Sequence, residues 1–306
     1  MIGTQFTITN ADGDSITLND HVPDPLRFIA LQAYPEMDVD IKNNEIDLQG
    51  QHGIWDFFSF YGSRIATFQG VIVGETEADV DAIRTNLIRV LRLPAQPTTT
   101  KYGQVTVTFT DPSGDDWQFE AKLFRPIRFT RGMKNVFRLD FNFSLKAADP
   151  FLVDQTETTT NGTMGYYTHG GVDVPLTVPF QWAESAQNEL TVNNGGVAFA
   201  QTIIQLNGHN LGAITNPKVQ NLTTGKTFQI NTTIADENEY ILIDSKEGTV
   251  VDQDGVDLTG LVTAASEFLL LQQGDNSIFY TSDESPDVVL YYPTATFSVK
   301  HRNTTI

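Results

Sequence analysis

Cysteine is absent from all 306 residues. The chain therefore has no disulfide framework and no thiolate chemistry, which suits assembly in a reducing compartment. Long apolar runs are missing too, since none approaches the ~18 residues of a bilayer-spanning helix. Met1-Ile-Gly-Thr-Gln5 has no basic stretch followed by a hydrophobic core, so a protein made in the cytosol is expected. Basic residues are scarce. Nineteen Lys and Arg stand against 38 Asp and Glu, a formal charge of −19, and such a surface repels nucleic acid rather than gripping it.

Histidine is sparse and scattered: His21, His52, His169, His209 and His301, with no two at metal-ligand spacing. No Gly-x-Ser-x-Gly elbow, phosphate-binding glycine loop or zinc-protease helix occurs. Asp252-Gln-Asp-Gly-Val-Asp257 approaches a calcium loop in composition. Its glycine comes too early and no glutamate follows at the twelfth position, so an ordinary acidic turn is expected. Asn221, Asn231 and Asn303 open glycosylation-type triplets, which carry no weight without a secretory signal. No enzyme, cofactor or metal site is read from the residues.

What the chain has is strands. Twenty phenylalanines point to aromatic-rich sheets. Phe137, Leu139, Phe141, Phe143 and Leu145 alternate, which predicts one buried face on a strand. Asp149-Pro150 then stops that strand, and Asp154 to Thr163 follows with five threonines and no periodicity. This stretch reads as a seam between two domains, 1–152 and 153–306, with the threonine-rich run as the connection.

In the first domain, Phe6-Thr-Ile8 and Ile16-Thr-Leu18 flank the turn Asn10-Ala-Asp-Gly13 and predict a hairpin. His21 to Pro25 leaves no room for regular structure, and Ile41 to Gly50 reads as a polar loop. Ile54 to Tyr61 packs five aromatics into eight residues, expected in a core or a subunit contact. Arg64 to Val73 reads as a strand with mixed faces. One helix, about 76–92, is predicted from the Thr76/Asp79 capping box, from Val80, Ile83, Leu87 and Val90/Leu91 at helical spacing, and from Pro94 as its stop. Strands resume at Val105–Phe109, Trp117–Leu123 and Ile127–Phe129, the first two separated by the turn Asp111-Pro-Ser-Gly114. The fold class is mainly β: an N-terminal β-sandwich or barrel with one flanking α-helix, then a C-terminal jelly-roll sandwich. Strands of the latter are expected at Val174–Trp182, Glu189–Val192, Gln201–Leu206, Lys218–Leu222, Thr227–Ile230, Tyr240–Asp244, Phe268–Leu271, Ser277–Tyr280 and Ala295–Val299.

Three segments, Asn216 to Gly225, Tyr240 to Val250 and Leu270 to Asn276, stand in the order and spacing of the siphophage distal tail protein family, which the chain resembles. Arg64-Ile, Gly70 to Gly74, the acidic helix with Arg84 and Leu87, Phe141-Asn-Phe and Ala148-Asp-Pro150 extend the resemblance over nearly the whole chain. It implies a galectin-like C-terminal sandwich and an N-terminal domain that forms a ring, six subunits as a rule, at the distal tail tip of the virion. The ring would join the tail tube protein to the tail-tip hub protein and carry receptor-binding proteins. DNA would pass through it without specific binding, and no membrane would be involved. On this reading, the basic residues at the helix end and Arg125, Arg128, Arg131, Lys134 and Arg138 are expected at subunit or hub contacts. The alternative is a lectin-like module that binds host cell-wall saccharide through Trp182, Tyr166 or Tyr167.

Overall fold

The computed structural model describes residues 4–20, 26–43, 45–47, 54–56, 59–92, 103–131, 137–163, 165–167, 186–208, 213–283 and 294–303. Two units make up the chain, one comprising Met1–Gln155 and Asn303–Ile306, the other Thr156–Arg302. Among the described residues no helix is long and apolar enough to cross a membrane.

The first unit opens with β1 (Phe6–Asn10), β2 (Ser15–Leu18), β3 (Phe28–Leu31) and β4 (Glu36–Lys42). Next come β5 (Glu45–Asp47), β6 (Ile54–Asp56), β7 (Phe60–Val73), the helix α1 (Glu77–Leu91) and β8 (Gln104–Thr110). It ends with β9 (Asp116–Arg131), β10 (Arg138–Ala147) and β11 (Leu152–Asp154). Its main sheet runs β2-β1-β8-β9-β10-β7-β3, with β4 pairing further along β7 and β11 further along β9. Asn19 brings the two ends of the sheet together. Its backbone N–H donates to the Ile29 carbonyl at 2.6 Å and its Nδ2 to the Thr4 carbonyl at 3.1 Å. The sheet thereby curls toward a barrel. Phe6, Phe68, Phe109, Phe141 and Phe143 fill it, with Phe68 stacked on Phe143 at 5.1 Å between ring centres.

α1 lies over β1, β2 and β7. Thr76 Oγ1 accepts from the Asp79 N–H at 3.2 Å and Asp79 Oδ2 accepts from the Thr76 N–H at 2.9 Å, a reciprocal capping box. Val80, Leu87, Val90 and Leu91 are buried, each burial worth roughly 1.5–3 kcal/mol. Two hairpin ends share one chemistry. Asn10 Oδ1 accepts from the Asp12 and Asp14 N–H groups, and Asp111 Oδ1 accepts from those of Ser113 and Asp115. Gly13 and Gly114 then take φ of 85° and 95°, a region closed to most side chains.

Several sequence expectations need correction here. Residues 41 and 42 continue β4, and Glu45–Asp47 forms β5, so Ile41 to Gly50 is not simply a loop. Acids on the solvent-facing positions of β4 hide its period, while Met37 turns to the core. Phe137 lies outside β10 and is 43% exposed, so only Leu139, Phe141, Phe143 and Leu145 of the alternating set are buried. β7 has alternating rather than mixed faces, with Arg64, Ala66, Phe68, Gly70 and Ile72 inward. Trp117 to Phe129 is one strand rather than two. Pro126 is tolerated because the β9–β10 register shifts beside it, between Asn142/Ser144 and Ser144/Leu145, where a ladder N–H is not required. His21 to Pro25, Pro94 and Val174–Trp182 lie outside the described residues.

The second unit begins with β12 (Thr158–Thr163), inside the stretch read as a connection. Threonine is β-branched and favours a strand, and β12 pairs along its whole length with a strand near the C-terminus. After β12 come β13 (Gly165–Tyr167), β14 (Ala186–Asn188), β15 (Leu190–Asn194), β16 (Ala200–Asn207), β17 (Ile214–Thr215), β18 (Lys218–Asn221) and β19 (Lys226–Gln229). The series continues with β20 (Thr233–Ile234), β21 (Tyr240–Asp244), β22 (Thr249–Asp252), β23 (Leu270–Leu271), β24 (Gly274–Thr281) and β25 (Thr294–Val299). One sheet is ordered β12-β25-β16-β21-β22, with β23 also on β16; the other is β15-β24-β18-β19. Ile204, Leu206, Ile243 and Phe297 of the first sheet share a core with Val192, Val219, Phe228 and Ile278 of the second. This is a two-sheet sandwich. Buried Asn194, Asn221 and Asn276 hold the segment around β23 by donating to the carbonyls of Leu271, Leu270 and Gln272 respectively.

Candidate assembly surface

The pleat of β10 sends Leu139, Phe141, Phe143 and Leu145 into the core and Asp140, Asn142, Ser144 and Lys146 to the opposite face. Cross-strand register then sets the polar rows. Asn142 sits between Gln69 of β7 and Arg128 of β9. Ser144 sits between Thr67 and Arg125, with the two hydroxyls 3.1 Å apart. Lys146 sits between Ile65 and Lys122. A groove of about 610 Å³ runs over the Asn142 row and reaches Arg125, lined also by Gln32, Gln69, Arg128, Thr130 and Asp140.

The structure divides the basic residues singled out in the sequence. Arg131 pairs with Glu77 at 2.8 Å, Arg138 with Asp140 at 3.1 Å and Arg89 with Asp14 at 3.6 Å. Arg84 lies 5.2 Å over the Phe129 ring. These charges are spent within the unit. Arg125 and Lys146 instead flank the half-exposed ring of Phe124, at 5.8 and 5.4 Å, and Arg128 makes no ion pair with a described residue. Lys134 lies outside the described residues.

At the far margin of the sheet, β4 presents Glu36 opposite Thr67 and Asp38 opposite Ile65, both acids exposed. A register shift follows, and Ile41 meets Tyr61 while Lys42 meets Phe60. Ile41, Phe60 and Tyr61 are 60%, 59% and 55% exposed. The aromatic stretch thus ends in an open apolar patch rather than in the core; the side chain of Trp55, together with Phe57 and Phe58, lies outside what is described. The patch borders the seam, where Arg64 is buried at 2% exposure. Arg64 Nε donates to the Pro150 carbonyl at 2.7 Å and Nη1 to the Met37 carbonyl at 3.1 Å. Burial pushes its guanidinium below its usual value, with Asp149 and Tyr34 opposing that shift.

Residues 195–295 match the family model described as the siphovirus-type tail component, C-terminal domain. The matched stretch lies within the second unit. This agrees with the resemblance read from the sequence, to the siphophage distal tail proteins. Over 97% of this chain and 98% of the other, the fold is similar to the Dit protein (gp 19.1) of phage SPP1, at TM-score 0.66 and 15% identity. That structure is described as a paradigm of hub adsorption apparatus in phages infecting Gram-positive hosts. Chains of the phage P2 baseplate in its activated conformation are also similar, with calcium at TM-score 0.52 and 12% identity and with strontium at TM-score 0.50 and 13% identity. Each comparison covers 99% of this chain and 100% of that one. No curated protein sequence matches the chain.

The remaining sequence candidates are dispersed. Trp182 lies outside the described residues; Tyr166 and Tyr167 stand on β13, opposite Gln187 and Ala186 of β14. Of the histidines only His301 is described. Its Nδ1 accepts from the Gly195 N–H at 3.1 Å, and its Nε2 is 3.3 Å from Thr158 Oγ1. Asp252 spends its carboxylate on the N–H groups of Asp254 and Val256, at 3.0 and 2.8 Å, the geometry of an acidic turn. Sequence reading missed the acidic margin of β4, because it assigned no element to residues 26–40 and read Ile41 to Gly50 as a loop. The only available signal was the alternation of Glu36, Asp38 and Asp40 with Met37, Val39 and Ile41.

Proposed function

We propose that this chain is the ring subunit at the distal end of a siphophage tail tube. Residues 1–152 are assigned to the ring, of six copies, and 153–306 to an outward galectin-like sandwich. The ring joins the tube to the tail-tip hub protein and serves as a platform for receptor-binding parts. Its role is structural, with no catalytic step, cofactor or metal assigned to it. DNA passes through the bore without specific binding, consistent with the excess of acids.

The whole-length likeness to a hub adsorption protein carries this reading, since it extends the correspondence from one domain to both. Negative-stain imaging of the purified chain tests it. A six-fold ring is expected; a strictly monomeric particle at high concentration overturns it. Glycan-array binding lost on Trp182→Ala, with folding intact, would instead favour the saccharide-binding role.

A further inference from the structure

A ring of identical subunits needs two different patches on each copy, one complementary to the other. We propose that the acidic margin of β4 in one copy, Glu36 and Asp38, docks against the Arg125–Arg128 groove of a second copy of this chain. The proposal rests on the ring reading above and supplies the residues that close it.

Charge bookkeeping within the first unit supports the assignment. Arg27, Arg89, Arg131 and Arg138 each have a carboxylate within reach, Asp79, Asp14, Glu77 and Asp140 respectively. Arg125, Arg128 and neighbouring Lys122 have none among the described residues, and Glu36 and Asp38 have no basic partner there. All five side chains are exposed. In a chain with twice as many acids as bases, guanidinium groups left without a carboxylate on one groove form a local positive field in a negative surround.

Register keeps the two sets from satisfying each other within one copy. Glu36 is opposite Thr67, Thr67 opposite Ser144, and Ser144 opposite Arg125, so three strand intervals separate acid from base. At about 4.8 Å per interval that is roughly 14 Å, beyond a Debye length of roughly 8 Å at physiological salt. The sets occupy opposite margins of the β9-β10-β7-β4 part of the sheet, which makes their contact between copies head-to-tail. A nucleic-acid duplex fits less well. Asp140 lines the same groove, and Glu36 and Asp38 project from the same face of the sheet, where they would repel phosphates lying across it.

The test uses the full chain in three variants: Arg125→Glu with Arg128→Glu, Glu36→Lys with Asp38→Lys, and all four changes together. Sedimentation and negative-stain imaging are read across concentration, and circular dichroism verifies folding. Each double reversal is expected to raise the concentration needed for assembly by at least about tenfold, with the fourfold swap restoring it. Arg125→Gln with Arg128→Gln serves as the milder variant if reversal impairs folding, and should weaken assembly in the same direction. Reversals that assemble like wild type, or a swap that fails to restore assembly, overturn the docking proposal and leave the ring reading standing. A wild-type chain that never assembles sinks both. Fluorescence anisotropy with a labelled DNA duplex supplies the other arm: tight binding abolished by the arginine reversals would give the groove to nucleic acid and overturn the proposal.

Discussion

Arg64 is the largest fully buried side chain of the described residues, and its hydrogen bonds tie the β10–β11 seam to β4 through the Pro150 and Met37 carbonyls. Arg64→Met keeps the volume and removes the donors, leaving two carbonyls short of a partner. A loss of about 2–4 kcal/mol in urea unfolding is expected, since each unsatisfied buried group costs roughly 1–3 kcal/mol. Asp79 acts on a different scale of pH. Its hydrogen bonds to the Thr76 side chain and backbone, with Arg27 nearby, hold its carboxyl below the usual carboxylate value. A carboxylate depressed in the folded state stabilises the fold above its unfolded pKa, ~3.9. That contribution is lost as pH falls through the folded value. Asp79→Asn should therefore flatten the fall of stability below about pH 4 relative to wild type, as read by melting temperature across an acid series. An unchanged acid profile would remove the helix cap from the list of acid-sensitive contacts.

At the scale of elements, the sheet depends on close approach between β7 and its neighbours. Gly70 lies opposite Phe141, and a Cβ there would stand 2.4 Å from the Ala30 carbonyl and 2.6 Å from the Phe141 ring. The missing side chain lets an aromatic ring cover the strand from the facing position. Gly70→Ala is expected to cost about 3 kcal/mol by overpacking. Gly13→Ala, in open space at a positive φ, provides a comparison in which only backbone strain is at stake. If Gly70→Ala proves no worse than Gly13→Ala in chemical denaturation, the close approach is not what fixes the β3-β7-β10 spacing. The same ladder sets the assembly surface, because the register of β10 decides which polar residues share a row with Arg125 and Arg128.

At the scale of the whole molecule, the second unit has its own core between two sheets, so residues 156–302 expressed alone are expected to fold and remain monomeric in sedimentation. Self-association of that fragment would move the ring contacts away from the first unit. Much of the architecture was already legible in the chain: the hairpin at Asn10–Gly13, the cap at Thr76, the alternation of β10 from Leu139 on, and the strands from Lys218 to Asp244. Each is written in short-range terms, a turn residue, a cap or a period, that neighbouring residues enforce by themselves. The resemblance to the siphophage distal tail proteins was legible for the same reason, as motifs in order along one chain. Tertiary structure alone decided the rest. Polar β4 and threonine-rich β12 are strands because partners hydrogen-bond to them, Pro126 is tolerated because a register shift frees its position, and Phe60 and Tyr61 stay outside the core. The acidic margin and the arginine groove likewise come from pairing between residues as far apart as Glu36, Thr67, Arg125 and Ser144, and local sequence carries no record of which strands lie side by side.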